Sequence, residues 1–280
     1  MKKPIKRVAA IHDLCGIGKA ALTNVIPVLA TLGVEVCPIP TMILSTHTGG
    51  FGTPERLKLN GYINKAIEHY KSIDISFEGV FIGYLGSESC VSEVITSLEY
   101  LKKDNVLVIF DPIFADNGKY YSNFDKNYTD RLKEIICYSD IITPNFTEAC
   151  ILAEEDIKNQ INEEDVLMIS RKLRKLGSKD IVITSIPMPD RRKIGTAIYD
   201  WKKDTIEITV SDRLDRCYPG TGDVFTSVLL GMLLKEKTLL ESVKRSCEFV
   251  EKAIIESKKF DYPTKEGLLL EYALKYLYEL

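Results

Sequence analysis

Short apolar runs and longer segments of helical periodicity alternate along the chain. The runs predict buried strands, at residues 7–11, 34–39, 41–45, 79–83, 106–110, 140–143 and 180–184. The segments predict helices over residues 90–103, 127–137, 164–176, 223–234, 238–257 and 264–278. They also predict two helices that end near residues 32 and 70 and one that begins at residue 144. Residues 195–199 and 205–210 predict a β-hairpin. This alternation predicts a doubly wound, mostly parallel α/β sheet with helices on both faces, in one domain over residues 1–280.

Polar side chains follow several predicted strands where each strand ends. His12 and Asp13 follow the first run, Asp111 follows the run at 106–110, and Thr143 ends the run before Pro144. The carboxyl ends of the strands in an open α/β sheet form its ligand-binding edge. We therefore expect the functional site at this edge.

Composition narrows the kinds of partner. The net charge is -3 and 28% of the residues are charged, without a strongly basic block, which disfavours nucleic acid and anionic membranes. Every apolar stretch is shorter than the ~20 residues that span a bilayer, and the N-terminus lacks a signal-peptide core. The seven cysteines are scattered without a C-x-x-C pair, so no disulfide framework or zinc site is indicated. We expect a cytoplasmic protein that binds a small molecule.

The sequence Gly220-Thr221-Gly222-Asp223, followed by the apolar stretch 224–234, predicts a glycine turn that opens a helix. The first N–H groups of a helix bind anions. A carboxylate beside a bound anion is unfavourable unless it has a chemical role, such as taking a proton from an attacking hydroxyl. The alternative is that Asp223 only caps the helix.

A second glycine motif competes with the first. Gly16-x-Gly18-x-x-Ala21 matches the dinucleotide fingerprint, which would predict an NAD-dependent oxidoreductase. Glu35, the acidic residue that should hold the ribose, falls at the start of the second strand instead of its end. The alternative is that these glycines let helix and strand pack closely.

Three further places carry candidate chemistry. The glycine-rich loop after the run 41–45, with His47, could cover a substrate, or His47 could simply face solvent. Asp111 and Asp116 could organise a metal and phosphates, or be turn residues. Asn145 and Glu148 share the first turn of a helix, where they could equally form a capping box.

Taken together, these motifs resemble the ribokinase-like superfamily. The resemblance rests on Asp111-Pro112 with Asp116, Thr143-Pro144-Asn145-x-x-Glu148, Thr184 and Gly220-Thr221-Gly222-Asp223. Within that superfamily, Ser45-Thr46-His47-Thr48-Gly49, Gly83-Tyr84-Leu85-Gly86-Ser87 and the stretch 111–118 resemble pyridoxal kinases, which phosphorylate vitamin B6. The resemblance covers nearly the whole chain and implies a three-layer α/β/α sandwich.

The resemblance also implies roles for individual residues. Asp223 would be the general base toward the 5′-hydroxymethyl group. In the catalytic motif that Gly220 opens, the amides of Thr221, Gly222 and Asp223 would hold the transferring phosphoryl of ATP. Mg²⁺ would be held by Glu148, Asp111 and Asn145, and a monovalent cation could accompany it. Residues implied to bind ATP are Asp111, Asp116, Thr143, Asn145, Glu148, Thr184, Thr221 and Gly222. Residues implied to bind the vitamer are Asp13, Ser45, Thr46, His47, Tyr84 and Asp223.

The chain departs from the pyridoxal kinase pattern at His12-Asp13-Leu14-Cys15-Gly16, where those enzymes carry a serine-rich stretch. The length to Gly33 is closer to that of hydroxymethylpyrimidine kinases, although these usually have Cys at the position of Asp223. The adenine pocket is expected near 210–219 and 247–254. A homodimer is expected, with the loop at 46–52 near its interface. Alternatives are a hydroxymethylpyrimidine or sugar kinase, the oxidoreductase, and a binding module without activity.

Overall fold

The computed structural model describes residues 4–158 and 161–278. The predicted apolar runs form its central strands, since strands covered on both faces need continuous apolar sequence. In chain order the strands of the described residues are β1 (Arg7–Ile17), β2 (Glu35–Thr46), β3 (Arg56–Lys58), β4 (Gly79–Ile82), β5 (Leu107–Phe110), β6 (Ala115–Asp116), β7 (Lys119–Tyr120), β8 (Ile141–Ile142), β9 (Asp180–Pro187), β10 (Lys193–Asp200) and β11 (Thr205–Asp212).

Several helices begin at polar caps. Ser87, Asp125 and Thr238 each accept a hydrogen bond from a backbone N–H of the turn that follows. In chain order the helices of the described residues are α1 (Leu22–Thr31), α2 (Tyr62–Ser72), α3 (Glu88–Leu101), α4 (Lys126–Ile136), α5 (Phe146–Leu152), α6 (Glu163–Lys175), α7 (Thr221–Leu234), α8 (Leu239–Lys258) and α9 (Leu270–Ala273).

Across the described ranges, nine strands form one sheet in the order β11-β10-β9-β8-β5-β4-β1-β2-β3. The strands from β9 to β2 in this order pair in parallel, whereas β3, β10 and β11 are antiparallel additions at the two edges. The chain passes from β1 to β2 on one side and then returns to β4 on the other. Such a reversal opens a crevice at the carboxyl ends of the strands. The prediction of a doubly wound, mostly parallel sheet is confirmed.

The core has two layers of side chains, one on each face of the sheet. In β1, Ala9 and Ile11 pack toward the cluster that contains residues of α2 to α6, while Val8 and Ala10 pack toward α1, α7 and α8. Alternation of this kind follows from the period of two along a strand. Helices therefore cover both faces, which gives the three-layer α/β/α sandwich.

The second strand differs from its prediction, because the two runs predicted there form one continuous strand through Pro38 and Pro40. The N–H of Glu35 donates to the carbonyl of Lys6. Since N–H groups alternate between the two sides of a strand, both prolines have their nitrogens on the side away from β1. The pairing with β3 begins only at Met42, so the prolines cost no ladder bond.

The C-terminal prediction of one helix over 264–278 is wrong. That segment forms a 3-10 turn at Thr264–Glu266, then α9, then a second 3-10 turn. Gly267 interrupts it with φ of 82°, and a Cβ there would lie 2.6 Å from the carbonyl oxygen of Lys19. The segment therefore packs its backbone against the connection between β1 and α1, next to the site described below.

Candidate active site

The N-terminus of α7 is an open helix end. Gly220 occupies the cap position with a left-handed φ of 78°, and within the described residues no side chain caps the helix there. The first N–H groups of a helix have no partner inside it, so this end offers donors to an anion. Gly222 faces Asp111, whose Oδ2 would lie 3.6 Å from an added Cβ.

Asp223 is the third residue of α7 and is buried, yet its carboxylate bonds outside the helix. Oδ2 accepts the backbone N–H of Ala21 at 2.6 Å, and Oδ1 lies 3.1 Å from Nε2 of His12. The interpretation of Asp223 as a helix cap is therefore wrong. Its carboxylate is fixed by two groups from the first part of the chain, 202 and 211 residues away.

The first turn of α1 holds the glycine turn in place. Asn24 donates from Nδ2 to the carbonyls of Lys19 at 3.1 Å and of Gly220 at 3.2 Å. A Cβ on Gly220 would lie 2.3 Å from that Nδ2, so the turn requires glycine.

The dinucleotide interpretation of the connection between β1 and α1 fails. Gly16 lies within β1, and a Cβ on it would approach the carbonyl oxygen of Ser45 to 2.7 Å. Gly18 has φ of 82° and packs against the ring of His47. Both glycines therefore serve close packing, and the turn that would cradle a pyrophosphate is replaced by strand.

His12 is the residue of the site to which sequence reasoning gave no role. It is buried, with Nδ1 2.8 Å from Oδ1 of Asp13 and Nε2 3.1 Å from Oδ1 of Asp223. Burial alone lowers the pKa of His12, but Asp223 and Asp13 outweigh it and raise the pKa to about 10. His12 is therefore an imidazolium at neutral pH. Its position directly after the predicted run 7–11 was the available signal, but the role of contacting the ligand was assigned to Asp13.

Asp13 itself does not present a free carboxylate to the crevice. Oδ1 lies 2.8 Å from Nδ1 of His12, a ring nitrogen that also lies 2.9 Å from the backbone nitrogen of Asp13, and Oδ2 accepts from the thiol of Cys15 at 3.1 Å. The β1 register shifts between His12 and Leu14, and such a bulge re-aims side chains. Asp13 thus contacts His12, and its expected contact with the vitamer stays a prediction.

Asp111 follows β5 and is held from the side of α7. Thr226 donates from Oγ1 to Oδ2 of Asp111 at 3.4 Å and lies 3.1 Å from Oγ1 of Thr143. Thr143 is buried and supports Asp111 through Thr226, and its expected place along the phosphates stays a prediction. Burial and the charge of Asp223 raise the pKa of Asp111 to about 7.

Asn145 and Glu148 form the capping box that was one of the two alternatives predicted from the sequence. The remaining oxygen of Glu148, Oε1, accepts the N–H groups of Phe114 at 3.1 Å and Ala115 at 3.4 Å. Nδ2 of Asn145 donates to the carbonyl of Ala115 at 2.8 Å. The pair thereby ties α5 to the loop after β5. Burial and the charge of Asp111 raise the pKa of Glu148 well above its usual range.

The donor set fits Mg²⁺ in part. Asp111 and Glu148 are buried carboxylates, and the charge of Asp111 raises the pKa of Glu148. Mg²⁺ commonly takes one or two carboxylates together with water and phosphate oxygens. The amide of Asn145 is already used at both ends, so it is not a direct ligand in this arrangement. Over residues 4–158 and 161–278, no group of three or more His, Cys, Asp or Glu could hold a metal alone.

Two residues expected near the phosphates lie elsewhere in the strand-end region. Asp116 is exposed at the end of β6, where it accepts the N–H and the side-chain amide of Asn117 at 2.7 and 2.9 Å. Thr184 is half-buried in β9 and donates its N–H to the carbonyl of Pro144. Neither contact presents a donor to an anion.

The expected vitamer residues fall into two groups. Tyr84 is nearly buried and its hydroxyl accepts from Nδ2 of Asn123 at 2.8 Å, beside a cavity of about 470 Å³ at the N-termini of α3 and α4. Ser45 is exposed and its Oγ accepts the N–H of Glu55, while Thr46 donates to the carbonyl of His47.

His47 is buried in its loop, so the alternative that it faces solvent is wrong. Nδ1 accepts the N–H of Gly49 at 3.0 Å and Nε2 donates to the carbonyl of Lys265 at 2.5 Å. Lys265 in turn lies over the ring of Phe51. The hydrogen bond expected from His47 to a ring substituent would therefore require this loop to open.

A further cavity of about 310 Å³ lies between β11 and α8. It coincides with the region expected for the adenine base, although that region carries no motif. Its lining residues are Lys193, Thr209, Val210, Ser211, Asp212, Lys244, Cys247, Glu248 and Glu251.

Comparison with known proteins gives consistent matches. Residues 26–267 match the family model described as phosphomethylpyrimidine kinase. A pyridoxal kinase of Dictyostelium discoideum is 32% identical over 231 residues, which cover 77% of this chain and 74% of that protein. A hydroxymethylpyrimidine/phosphomethylpyrimidine kinase of Aquifex aeolicus is 31% identical over 199 residues, covering 69% and 73%.

A solved structure agrees over nearly the whole length. The protein is from Bacteroides thetaiotaomicron, is assigned to the phosphomethylpyrimidine kinases and was crystallised with pyridoxal. It superposes with a TM-score of 0.93 at 34% identity and covers 98% of this chain and 96% of its own.

Proposed function

Since the chain belongs to the family of phosphomethylpyrimidine and pyridoxal kinases, we propose that it phosphorylates the 5′-hydroxymethyl group of a vitamin B6 vitamer. ATP is the phosphoryl donor. The similar Bacteroides structure that contains pyridoxal supports a vitamer as acceptor. The observation within the molecule that carries the proposal is the carboxylate of Asp223, which is fixed at an open helix end without capping it.

The chemistry follows from this geometry. The hydroxyl oxygen of the vitamer attacks the γ-phosphorus of ATP while the carboxylate of Asp223 takes the hydroxyl proton. The bond between the γ-phosphorus and the β-phosphate oxygen breaks, and ADP leaves. The N–H groups at the start of α7, from Gly220 to Asp223, stabilise the negative charge of the transferring group. Ser45, Thr46, Tyr84 and the loop that contains His47 surround the vitamer ring.

Asp111 and Glu148 would hold Mg²⁺, which offsets the charge of the ATP phosphates. Both carboxylates are buried, and burial together with the charge of a neighbouring carboxylate raises their pKa values, so a bound cation would be favourable here. Glu148→Gln should raise the Mg²⁺ concentration needed for half-maximal turnover, measured by titration at saturating ATP. An unchanged titration would leave Glu148 with its capping role alone.

A second candidate acceptor is hydroxymethylpyrimidine. The family model and the Aquifex relative carry the names of kinases for this alcohol. Its reacting group is also a hydroxymethyl on an aromatic ring, so the same base and helix end would serve.

ATP consumption over a panel of alcohols tests the proposal. The panel holds pyridoxal, pyridoxine, pyridoxamine, hydroxymethylpyrimidine and a sugar, with Mg²⁺ present. We expect turnover with at least one B6 vitamer and a phosphorylated product of the corresponding mass. Turnover with hydroxymethylpyrimidine alone would favour the second candidate, and turnover with none would reject both.

Location and assembly complete the proposal. We expect this ATP-dependent kinase to work in the cytoplasm, where ATP is available. Within the described ranges, the helices are all too short or too polar to cross a bilayer. We expect a homodimer formed through the β2–β3 edge, where Ile43 and Leu57 are paired and both exposed.

A further inference from the structure

A buried chain of side chains leads from β1 to the base. Asp13 contacts Nδ1 of His12 at 2.8 Å, and Nε2 of His12 contacts Asp223 at 3.1 Å. The three residues are 5%, 2% and 6% exposed. Polar groups buried to this degree are costly unless they are paired, so the contacts among these three side chains are needed to offset their burial.

The imidazole ring has little freedom. A Cβ on Gly83 would lie 2.0 Å from Cδ2 and 2.2 Å from Nε2 of His12, so the ring rests directly on the glycine backbone. Phe81 meets the ring edge-on, with centroids 5.9 Å apart. Asp13, which holds the opposite nitrogen, is itself fixed by the thiol of Cys15. The ring therefore presents Nε2 in one direction.

Asp223 receives its two bonds on different oxygens. The N–H of Ala21 binds Oδ2 and His12 binds Oδ1, so rotation of the carboxylate about its last bond would break one or both. Each carboxylate oxygen has about two acceptor sites, which leaves free lone pairs on a carboxylate of fixed orientation. Orientation of this kind governs how well a base meets the hydroxyl that attacks.

We propose, given the function proposed above, that His12 is a positioning residue for the base: Asp13 fixes its imidazole, and the imidazole fixes the carboxylate of Asp223 toward the vitamer hydroxyl. The hydroxyl proton passes to Asp223, and His12 takes no part in that transfer. Since the charges of Asp223 and Asp13 outweigh burial and raise the pKa of His12, its positive charge also offsets part of the negative charge gathered here.

Two substitutions of His12 test the contacts of its two ring nitrogens separately. The side-chain amide nitrogen of Asn takes roughly the place of Nδ1, and that of Gln roughly the place of Nε2. His12→Gln therefore keeps a donor toward Asp223, whereas His12→Asn keeps one only toward Asp13. We expect kcat to fall about 30-fold or more in the Asn variant and less than about fivefold in the Gln variant. KM for ATP should stay within about threefold in both.

Gly83→Ala provides an independent variant that leaves His12 and Asp223 in the chain. The added methyl group displaces the ring, so kcat should fall as in His12→Asn. Combining Gly83→Ala with His12→Asn should cost little more than either alone, because both remove the same contact. His69→Gln, an exposed histidine on α2, is the control and should match the wild type.

Equal losses in the Asn and Gln variants, or wild-type kcat in both, would overturn the inference, provided that thermal melting shows folded protein. Nitrogen-15 spectra of the imidazoles test the contact without turnover. Asp223→Asn should shift the Nε2 signal of His12 and leave that of His69 in place, and an unshifted His12 signal rejects the contact. If the wild type phosphorylates no alcohol of the panel, the proposed function fails, and these spectra alone decide the contact.

Discussion

Asp223 shows how one residue type can have two roles that a sequence does not separate. An Asp after two glycines at the start of a helix is a common cap. The structure places it at the third position of α7, where it bonds to Ala21 and His12 instead of its own helix. The partner His12 could not be predicted, because the pair is 211 residues apart and depends on the tertiary fold.

Asp223→Asn tests the role of the base. Asn fits the same space but cannot accept the proton, so kcat should fall at least ~100-fold, which corresponds to ~2.7 kcal/mol in the barrier. Steady-state kinetics and an ATP binding titration measure the effect, with ATP affinity expected to remain. Asp104→Asn, at an exposed loop position, is the matched control. Turnover of the Asn variant within a few-fold of the wild type would remove Asp223 as the base.

The charge of His12 predicts a pH dependence of stability. Asp223 and Asp13 outweigh burial and raise its pKa from 6.5 to about 10. The folded state therefore binds more protons than the unfolded state between these values, and its contribution is full below about pH 6.5. It declines as the pH rises toward about 10. Urea unfolding of wild type and His12→Gln across this range should show the stability advantage of the wild type shrinking with pH. A constant difference would contradict a charged His12.

At the scale of elements, the sequence predicted best where the signal is local. The capping box of Asn145 and Glu148 was visible from the spacing of three, and it exists. The single helix predicted over 264–278 does not, because Gly267 adopts its left-handed conformation to meet the backbone of Lys19. Apolar periodicity carries no information about such a contact between distant segments. For the same reason β3 was not predicted, since its three residues are all exposed and form no apolar run.

Gly220→Ala tests how the turn before α7 is held. Gly220 and Gly61 both cap helices with left-handed φ, 78° and 76°, so Ala strains the backbone similarly at each. Only at Gly220 would the added Cβ also meet Asn24 and Lys19, at 2.3 and 2.5 Å, whereas at Gly61 nothing lies within 4 Å. Gly220→Ala should therefore lower kcat and raise KM for ATP, while Gly61→Ala lowers only the melting temperature. Similar kinetics in both variants would show that the turn does not set the helix end.

At the scale of the whole molecule, the topology explains why the site was partly predictable. Parallel strands end at one edge of the sheet, so Asp111 and His12 had to lie near that edge. Which side chains turn inward was not determined by this rule. Thr143 is buried against Thr226, and Asp116 faces solvent at the end of β6. The edge was predictable, and the pairing of side chains within it was not.

The exposed edge of the sheet gives the prediction for assembly. Ile43 and Leu57 pair across β2 and β3 and are 39% and 58% exposed, which leaves adjacent apolar groups at an edge strand. We expect light scattering at micromolar concentration to give the mass of a dimer, and Leu57→Glu to give that of a monomer, since a buried carboxylate without a partner is costly. Ile255→Glu, at an exposed position on α8, is the control and should remain dimeric. β2 leads directly into the loop that contains His47. The KM for the vitamer should therefore also be higher in Leu57→Glu than in the control variant Ile255→Glu. A monomer mass for the wild type would rule out this edge as an interface.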